Sequence, residues 1–316
     1  MVQDRINIFE SGLLPLNVIS TRLEAKIERW STGIPEGYST GFPTLDRYAR
    51  LIDGELVVFA ARPSQGKTAL AMQIAEYVAE TMRAKAQESG EPSKVVAIFS
   101  AEMPDWSLMA RIAGIRSGVN VHDLSQGRAS QDDIRRFEES VSVLRQLPIW
   151  IDDNGGPSTL QMLDQLSQLN DTNEIGLVVF DFLELGGDRE KSEEQRLATI
   201  SHNLKAIAKT LRVPVIAISQ LNRSVESRAN KMPTLSDLRY SGMIEQLADV
   251  VFLIMRPEYY IERSVTITEV EEEDEDGVAL VQVAKNRSGP VGLTRLAFLK
   301  EEIRFAELSY QSELAP

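Results

Sequence analysis

Leu56-Val-Val-Phe-Ala-Ala61-Arg-Pro-Ser-Gln-Gly66-Lys67-Thr68-Ala69 is the stretch on which the fold turns. Leu56–Ala60 is a continuous apolar run, the pattern of a strand buried on both faces. The helical stretch Ala69–Lys85 lies beyond it. Strand, glycine-containing turn and helix in that order are the setting of a phosphate-binding loop. Backbone N–H groups at a helix start hold anionic phosphates. On this reading Ala61, Arg62, Pro63, Ser64, Gln65, Gly66, Lys67, Thr68 and Ala69 form the nucleotide loop. Lys67 reaches the β- and γ-phosphates, and the Thr68 hydroxyl binds Mg²⁺. Ala61 stands where such loops usually have their first glycine; alanine serves there if φ is negative. ATP and Mg²⁺ are the expected cofactors.

Outward from this loop the pattern repeats. Apolar β-rich runs occur at Val95–Ser100, Ile149–Asp152, Leu177–Asp181, Pro214–Ser219 and Val250–Met255, with helical stretches such as Glu194–Leu211 between them. That alternation predicts an α/β domain with a mostly parallel sheet covered by helices on both faces. After Arg256 the texture changes. Val278–Ala284 and Leu293–Leu299 flank Lys285-Asn-Arg-Ser-Gly-Pro-Val-Gly292, which reads as a β-hairpin. Residues 269–276 hold seven acids in eight positions, the pattern of a solvated loop.

The first 40 residues read as an arm. Leu16, Ile19, Leu23, Ile27 and Trp30 form one apolar stripe at helical spacing. So short a helix needs a surface to pack on. That surface is either its own domain or a neighbouring subunit. The expected division is an arm over 1–40 and one large α/β domain over 41–316.

Composition narrows the classes. The 316 residues include no cysteine and two histidines, which excludes disulfides, thiolate metal sites and a cysteine nucleophile. No apolar run approaches the length that spans a bilayer, and residues 1–10 are polar and mixed, so a cytoplasmic location and no membrane contact are expected. The net charge of −13 argues against a surface that is basic overall, but leaves room for a local basic lining.

Three further residues fit nucleotide hydrolysis. Asp181 ends an apolar strand, where P-loop ATPases place a metal-associated carboxylate. Glu102 follows another such strand and is placed to orient and deprotonate an attacking water. Gln220 ends a third, where an amide meets the γ-phosphate or that water.

Six segments now stand in order: Ala61-Arg-Pro-Ser-Gln-Gly-Lys-Thr-Ala69, Phe99-Ser-Ala-Glu-Met103, Phe180-Asp-Phe-Leu-Glu-Leu185, Ser219-Gln-Leu-Asn-Arg223, Leu235-Ser-Asp-Leu-Arg239 and Ala284-Lys-Asn-Arg-Ser-Gly-Pro290. Together they resemble the C-terminal motor domain of DnaB-type replicative DNA helicases, from about Gly41 to Glu307, with the arm resembling that family's linker helix. The resemblance implies a RecA-like fold and a homo-hexameric ring with ATP at subunit interfaces. It also implies single-stranded DNA in a central channel and 5′ to 3′ movement. It makes Glu102 the catalytic glutamate and Gln220 the sensor. Lys285 and Arg287 become hairpin cations that reach the γ-phosphate on the neighbouring subunit. Residues alone leave that pair open to being solvated hairpin charges.

For DNA, the resemblance points to Arg239 and Gly242 in the loop 237–242, and to Arg189 and Lys191 in the loop Gly186–Arg196. Tyr240 stands where the family usually has Glu, and either stacks on a base or packs. Glu184 stands where the family commonly has glutamine. The family's separate helical N-terminal domain has no counterpart in the 40 residues before the motor. Primase contact through such a collar is therefore not expected, a helicase loader stays open as a partner, and the chain reads as a fragment or a compact relative. Two other readings are a RecA-like ATPase with a recombination or regulatory role and a nucleotide-gated scaffold ring.

Overall fold

The computed structural model describes residues 13–238, 241–263 and 276–308. Its helices are α1 Leu16–Ser31, α2 Pro43–Asp46, α3 Lys67–Ser89, α4 Asp105–Ser117, α5 Val121–Ser125, α6 Gln131–Leu144, α7 Thr159–Thr172, α8 Glu193–Leu211, α9 Ser241–Leu247 and α10 Pro257–Ile261. The strands are β1 Leu56–Ala61, β2 Val95–Ser100, β3 Ile149–Asp152, β4 Ile175–Asp181, β5 Val215–Gln220, β6 Val250–Met255, β7 Val278–Asn286, β8 Gly292–Leu299 and β9 Arg304–Ala306.

These form one nine-stranded sheet in the order β3-β2-β4-β5-β1-β6-β7-β8-β9. Pairing is parallel from β3 through to β6 and antiparallel from β6 to β9. The runs that looked uniformly apolar are buried along their whole length in β1, β2, β4 and β6. Helices α3, α4 and α6 cover one face, giving a core that includes Leu70, Leu108 and Leu144. Helices α7 and α8 cover the other with Met162, Leu166, Leu197 and Leu204. Phe59 and Phe252 stack within the first core, centroids 4.7 Å apart.

The differences from the sequence reading have local causes. β5 begins at Val215, not Pro214, because proline has no N–H for the ladder. The Pro214 carbonyl still accepts from Val178 N at 3.1 Å. β9 was not expected: three residues are too few to show a period. It is fixed by Gln73 of α3, whose amide donates to Phe305 O at 2.9 Å and accepts from Phe305 N at 2.8 Å. The acidic residues 269–275 lie outside the described residues.

The arm helix forms over the predicted stripe. It buries none of its residues: Leu16, Ile19, Leu23, Ile27 and Trp30 all stay exposed. Docking of that stripe on its own domain is therefore not what the structure displays.

Candidate nucleotide site and its remote cations

The topology places the C-terminal ends of β1, β2, β4 and β5 side by side, and each carries a predicted site residue there. Ligands in open α/β sheets bind outside these strand ends. The loop between β1 and α3 is the centre. Gly66 has φ +91, and a Cβ there would lie 2.7 Å from the Phe305 ring, so only glycine fits. Ser64 is also left-handed, with φ 65.

Two loop side chains turn inward and fix the loop. Arg62 is buried; its Nε donates to Glu226 Oε1 and its terminal nitrogen to Leu221 O, both at 2.8 Å. Gln65 is buried too, and its carbonyl oxygen accepts from Arg256 N at 2.6 Å. The Arg256 guanidinium donates to Ser64 O at 3.2 Å and stacks on Phe298 at 3.6 Å. With those two side chains engaged, Lys67, Thr68 and the first-turn N–H groups of α3, which have no partner four residues back, are the groups this loop could offer a phosphate.

Asp181 is fully buried at the end of β4, and among the described residues neither carboxylate oxygen has a hydrogen-bond partner. Burial pushes it up to about 6. The nearby Thr68 hydroxyl, short of full hydrogen-bond geometry, and the Lys67 ammonium offset part of this, while the Glu102 carboxylate adds to it. An unbonded buried carboxylate beside a threonine hydroxyl fits a hard cation such as Mg²⁺, which takes few protein oxygens and keeps water and phosphate as its other ligands. Among the described residues no group of three or more His, Cys, Asp or Glu forms a protein cage for a metal. Lys67 Nζ lies 5.5 Å from the Phe182 ring. Glu102 is exposed in the turn after β2, where the Ser100 hydroxyl donates to Met103 O at 2.8 Å.

Gln220 closes the fourth strand. Its backbone N–H donates to Glu184 Oε1 at 2.8 Å, and the Ser219 hydroxyl donates to the same oxygen at 2.9 Å. Glu184 thus serves as an acceptor, which the carbonyl oxygen of a glutamine side chain could equally be. Arg196 holds the following loop by donating to Glu184 O at 2.7 Å and to Gly186 O. Asp188 anchors the loop to the start of α7 by accepting from the Thr159 N–H at 2.9 Å and hydroxyl at 2.6 Å. Arg189 and Lys191 are left exposed at its tip. Arg239 and Tyr240 lie outside the described residues; Gly242 is exposed in the first turn of α9.

Lys285 and Arg287 are not part of this cluster. The Arg287 N–H donates to Asp249 O at 2.9 Å, and Asp249 in turn receives Leu56 N–H at 2.7 Å. That is the N-terminal end of β1, and the P-loop is at the other end. The six residues of β1 separate them by about 17 Å at the usual strand rise. Neither cation can serve its own P-loop.

Sequence reasoning missed Arg256, Phe298, Phe305, Arg196 and Asp249. Arg256 carried a signal, since it is a charged residue ending an apolar strand, as Asp181 is. Phe298 carried none beyond ordinary strand alternation, and Phe305, in a strand too short to show a period, carried none at all.

The comparisons with known proteins bear on the family and the fold. The replicative DNA helicase DnaC of Bacillus subtilis is 38% identical over 281 residues, covering 88% of this chain and 57% of that protein. The replicative DNA helicase DnaB of Geobacillus stearothermophilus is 37% identical with the same coverage. The chain therefore spans little more than half the length of these relatives. Among solved structures, an ATPase domain superposes with a TM-score of 0.79 at 31% identity, covering 92% of this chain and 98% of that domain. A DnaB-like replicative helicase, from a structure concerned with its interactions with primase, gives 0.77 at 29% identity, covering 95% of this chain and 68% of its own. The sheet is the RecA-like α/β architecture expected from the resemblance, with its antiparallel hairpin at the C-terminal side. Residues 37–307 match the DnaB-like helicase C-terminal domain, and the chain belongs to that family.

Proposed function

We propose that this chain is the motor of an ATP-driven replicative DNA helicase that moves 5′ to 3′ on single-stranded DNA as a homo-hexameric ring. The observation that carries the reading is the buried, unbonded Asp181 beside Thr68 and Lys67 at the mouth of the P-loop. Lys67 neutralises charge on the β- and γ-phosphates. Glu102 takes a proton from the attacking water as the bond to the γ-phosphorus forms and ADP leaves. Gln220 contacts the γ-phosphate or that water and registers its loss. Thr68 and Asp181 would hold Mg²⁺, which would supply Lewis-acid charge at the phosphates.

The 17 Å separation supports a composite site in which Lys285 and Arg287 of one chain meet the γ-phosphate on the next. The exposed apolar stripe of α1 supports a ring, because a neighbour's surface is what it lacks. Arg239, Tyr240, Gly242, Arg189 and Lys191 are assigned to the DNA strand in the channel. A net charge of −13 per chain repels DNA from the outside of such a ring and leaves those cations to hold one strand. The place of action is the cytoplasm; among the described residues no helix is long and apolar enough to cross a membrane. A helicase loader is the remaining proposed partner.

The test is strand displacement on forked DNA with ATP and Mg²⁺, with Lys67→Ala as control. Displacement that requires a 5′ tail and Lys67 is expected. ATP hydrolysis without displacement, with or without a loader, overturns the helicase reading in favour of another RecA-like ATPase. A flat hydrolysis baseline points to a nucleotide-gated scaffold.

A further inference from the structure

At the sheet end remote from the P-loop, one carboxylate organises the residues around the hairpin cations. Asp249 precedes β6 and is 5% exposed. Its Oδ2 accepts from Leu56 N at 2.7 Å and from Lys205 Nζ at 2.6 Å. Lys205 is held in turn by Gly54 O at 2.8 Å. The other oxygen, Oδ1, lies 3.4 Å from an Arg287 terminal nitrogen, and the Asp249 carbonyl accepts the Arg287 N–H at 2.9 Å. The end of α9 completes the arrangement. Lys285 Nζ donates to Ala248 O at 2.7 Å, to Gln246 O at 3.3 Å and to Glu245 O; Arg287 also donates to Gln246 O. Carbonyls at a helix C-terminus lack internal donors and carry partial negative charge, so they attract cations. Burial and the adjacent Arg287 push Lys285 down, as expected of two cations crowded onto one small seat.

The Arg287 side chain is 49% exposed, so its seat grips it without enclosing it. A long cation that must meet a phosphate on another chain loses rotamer freedom when it does so. A seat that already fixes its root and direction lowers that cost, and a misplacement of about 1 Å is enough to lose much of the benefit. We propose that Asp249 is a positioning residue for the trans-acting pair, holding Arg287 through one oxygen and its carbonyl while the other oxygen is locked to β1 and α8. This rests on the reading above that Lys285 and Arg287 act on the neighbour's nucleotide.

The experiment uses full chains and mixed rings. Asp249→Asn alone is expected to lower kcat about 10- to 100-fold. Binding of a fluorescent ATP analogue to its own P-loop stays at the wild-type level. Each Asp249→Asn chain keeps an intact P-loop, and each Lys67→Ala chain keeps an intact pair of cations. Rings assembled from a mixture of the two are therefore expected to hydrolyse ATP faster than rings of either alone. Arg287→Ala mixed with Lys67→Ala is the control. No recovery in the control overturns the trans reading, and this proposal with it. Recovery in the control but not with Asp249→Asn, or wild-type kcat in Asp249→Asn alone, overturns the role of Asp249 and leaves the trans reading standing. If the Asn chain does not fold, Asp249→Glu keeps the charge and shifts its reach. The same loss and the same recovery are expected of it, and an unimpaired Glu variant overturns the proposal.

Discussion

The two ends of the central sheet treat charge in opposite ways. At the P-loop end the scaffold is bonded and the chemistry is not. Arg62, Gln65 and Arg256 fix the loop, while the Asp181 carboxylate has no hydrogen-bond partner among the described residues. At the hairpin end the charges themselves are satisfied: Lys285 and Arg287 already sit on α9 carbonyls and Asp249. On the function proposed above, one end is preformed for a phosphate and a cation, and the other is at rest until a stronger acceptor, such as a neighbour's γ-phosphate, appears. The roughly 17 Å of β1 between the ends keeps one chain from completing its own site.

The largest effects test that division directly. Lys67→Ala is expected to abolish hydrolysis and weaken nucleotide binding together, because Lys67 belongs to the end proposed to hold the nucleotide. Arg287→Ala is expected to lower kcat by about 10³ to 10⁵ while nucleotide binding stays near wild type. Steady-state hydrolysis and titration with a fluorescent nucleotide separate the two patterns. If Arg287→Ala binds nucleotide poorly yet hydrolyses it normally, the two ends are not parts of a shared site and the comparison collapses.

The sequence foretold the P-loop end far better than the hairpin end, for a physical reason. Leu56–Ala60, Gly66, Lys67 and Thr68 form one local unit, and their spacing carries the chemistry. Asp181 and Gln220 each end an apolar strand and Glu102 lies in the turn after another, so topology alone brings them to one sheet end. Lys285 and Arg287 had no such local signature. As residues they passed for solvated hairpin charges, and only the resemblance assigned them a role. Their seat was invisible because Asp249 and the α9 carbonyls are joined to them by antiparallel pairing across some 40 positions of sequence. The same is true of Phe305, which reaches Gly66 from the last strand. Contacts set by sheet register do not show in spacing.

A smaller effect probes the unbonded state of Asp181. Its carboxyl is raised from 3.8 to about 6, chiefly by burial, so the folded chain binds this proton more tightly than the unfolded chain does. The favourable contribution is full below the unfolded value and is lost as pH rises through about 6, with a size of order 3 kcal/mol at most. Without Mg²⁺ and nucleotide, denaturant titrations are expected to show stability falling between pH 4 and about 6, and Asp181→Asn should flatten that segment. If Asp181 holds Mg²⁺ as proposed, protons and the metal compete for its carboxylate, and Mg²⁺ affinity in the nucleotide complex should drop as pH falls below about 6. A Mg²⁺ affinity independent of pH across this window means that Asp181 is satisfied in solution by a partner the fold itself provides.

The smallest effect separates charge from geometry at the same end. Glu184 Oε1 receives both the Ser219 hydroxyl and the Gln220 N–H. A glutamine carbonyl oxygen in that place accepts the same two bonds, so Glu184→Gln is expected to change stability and kcat by less than about 1 kcal/mol. Glu184→Ala removes the acceptor and strands two part-buried donors at the sensor, at a cost of about 1 to 3 kcal/mol in stability. Its kcat should fall with it, because the end of β5 that aims Gln220 loses its fixed point. Thermal melts and hydrolysis rates of the two variants decide the matter. If Glu184→Gln is as damaging as Glu184→Ala, the P-loop end relies on negative charge at this position, and its likeness to a scaffold bonded by geometry alone is broken.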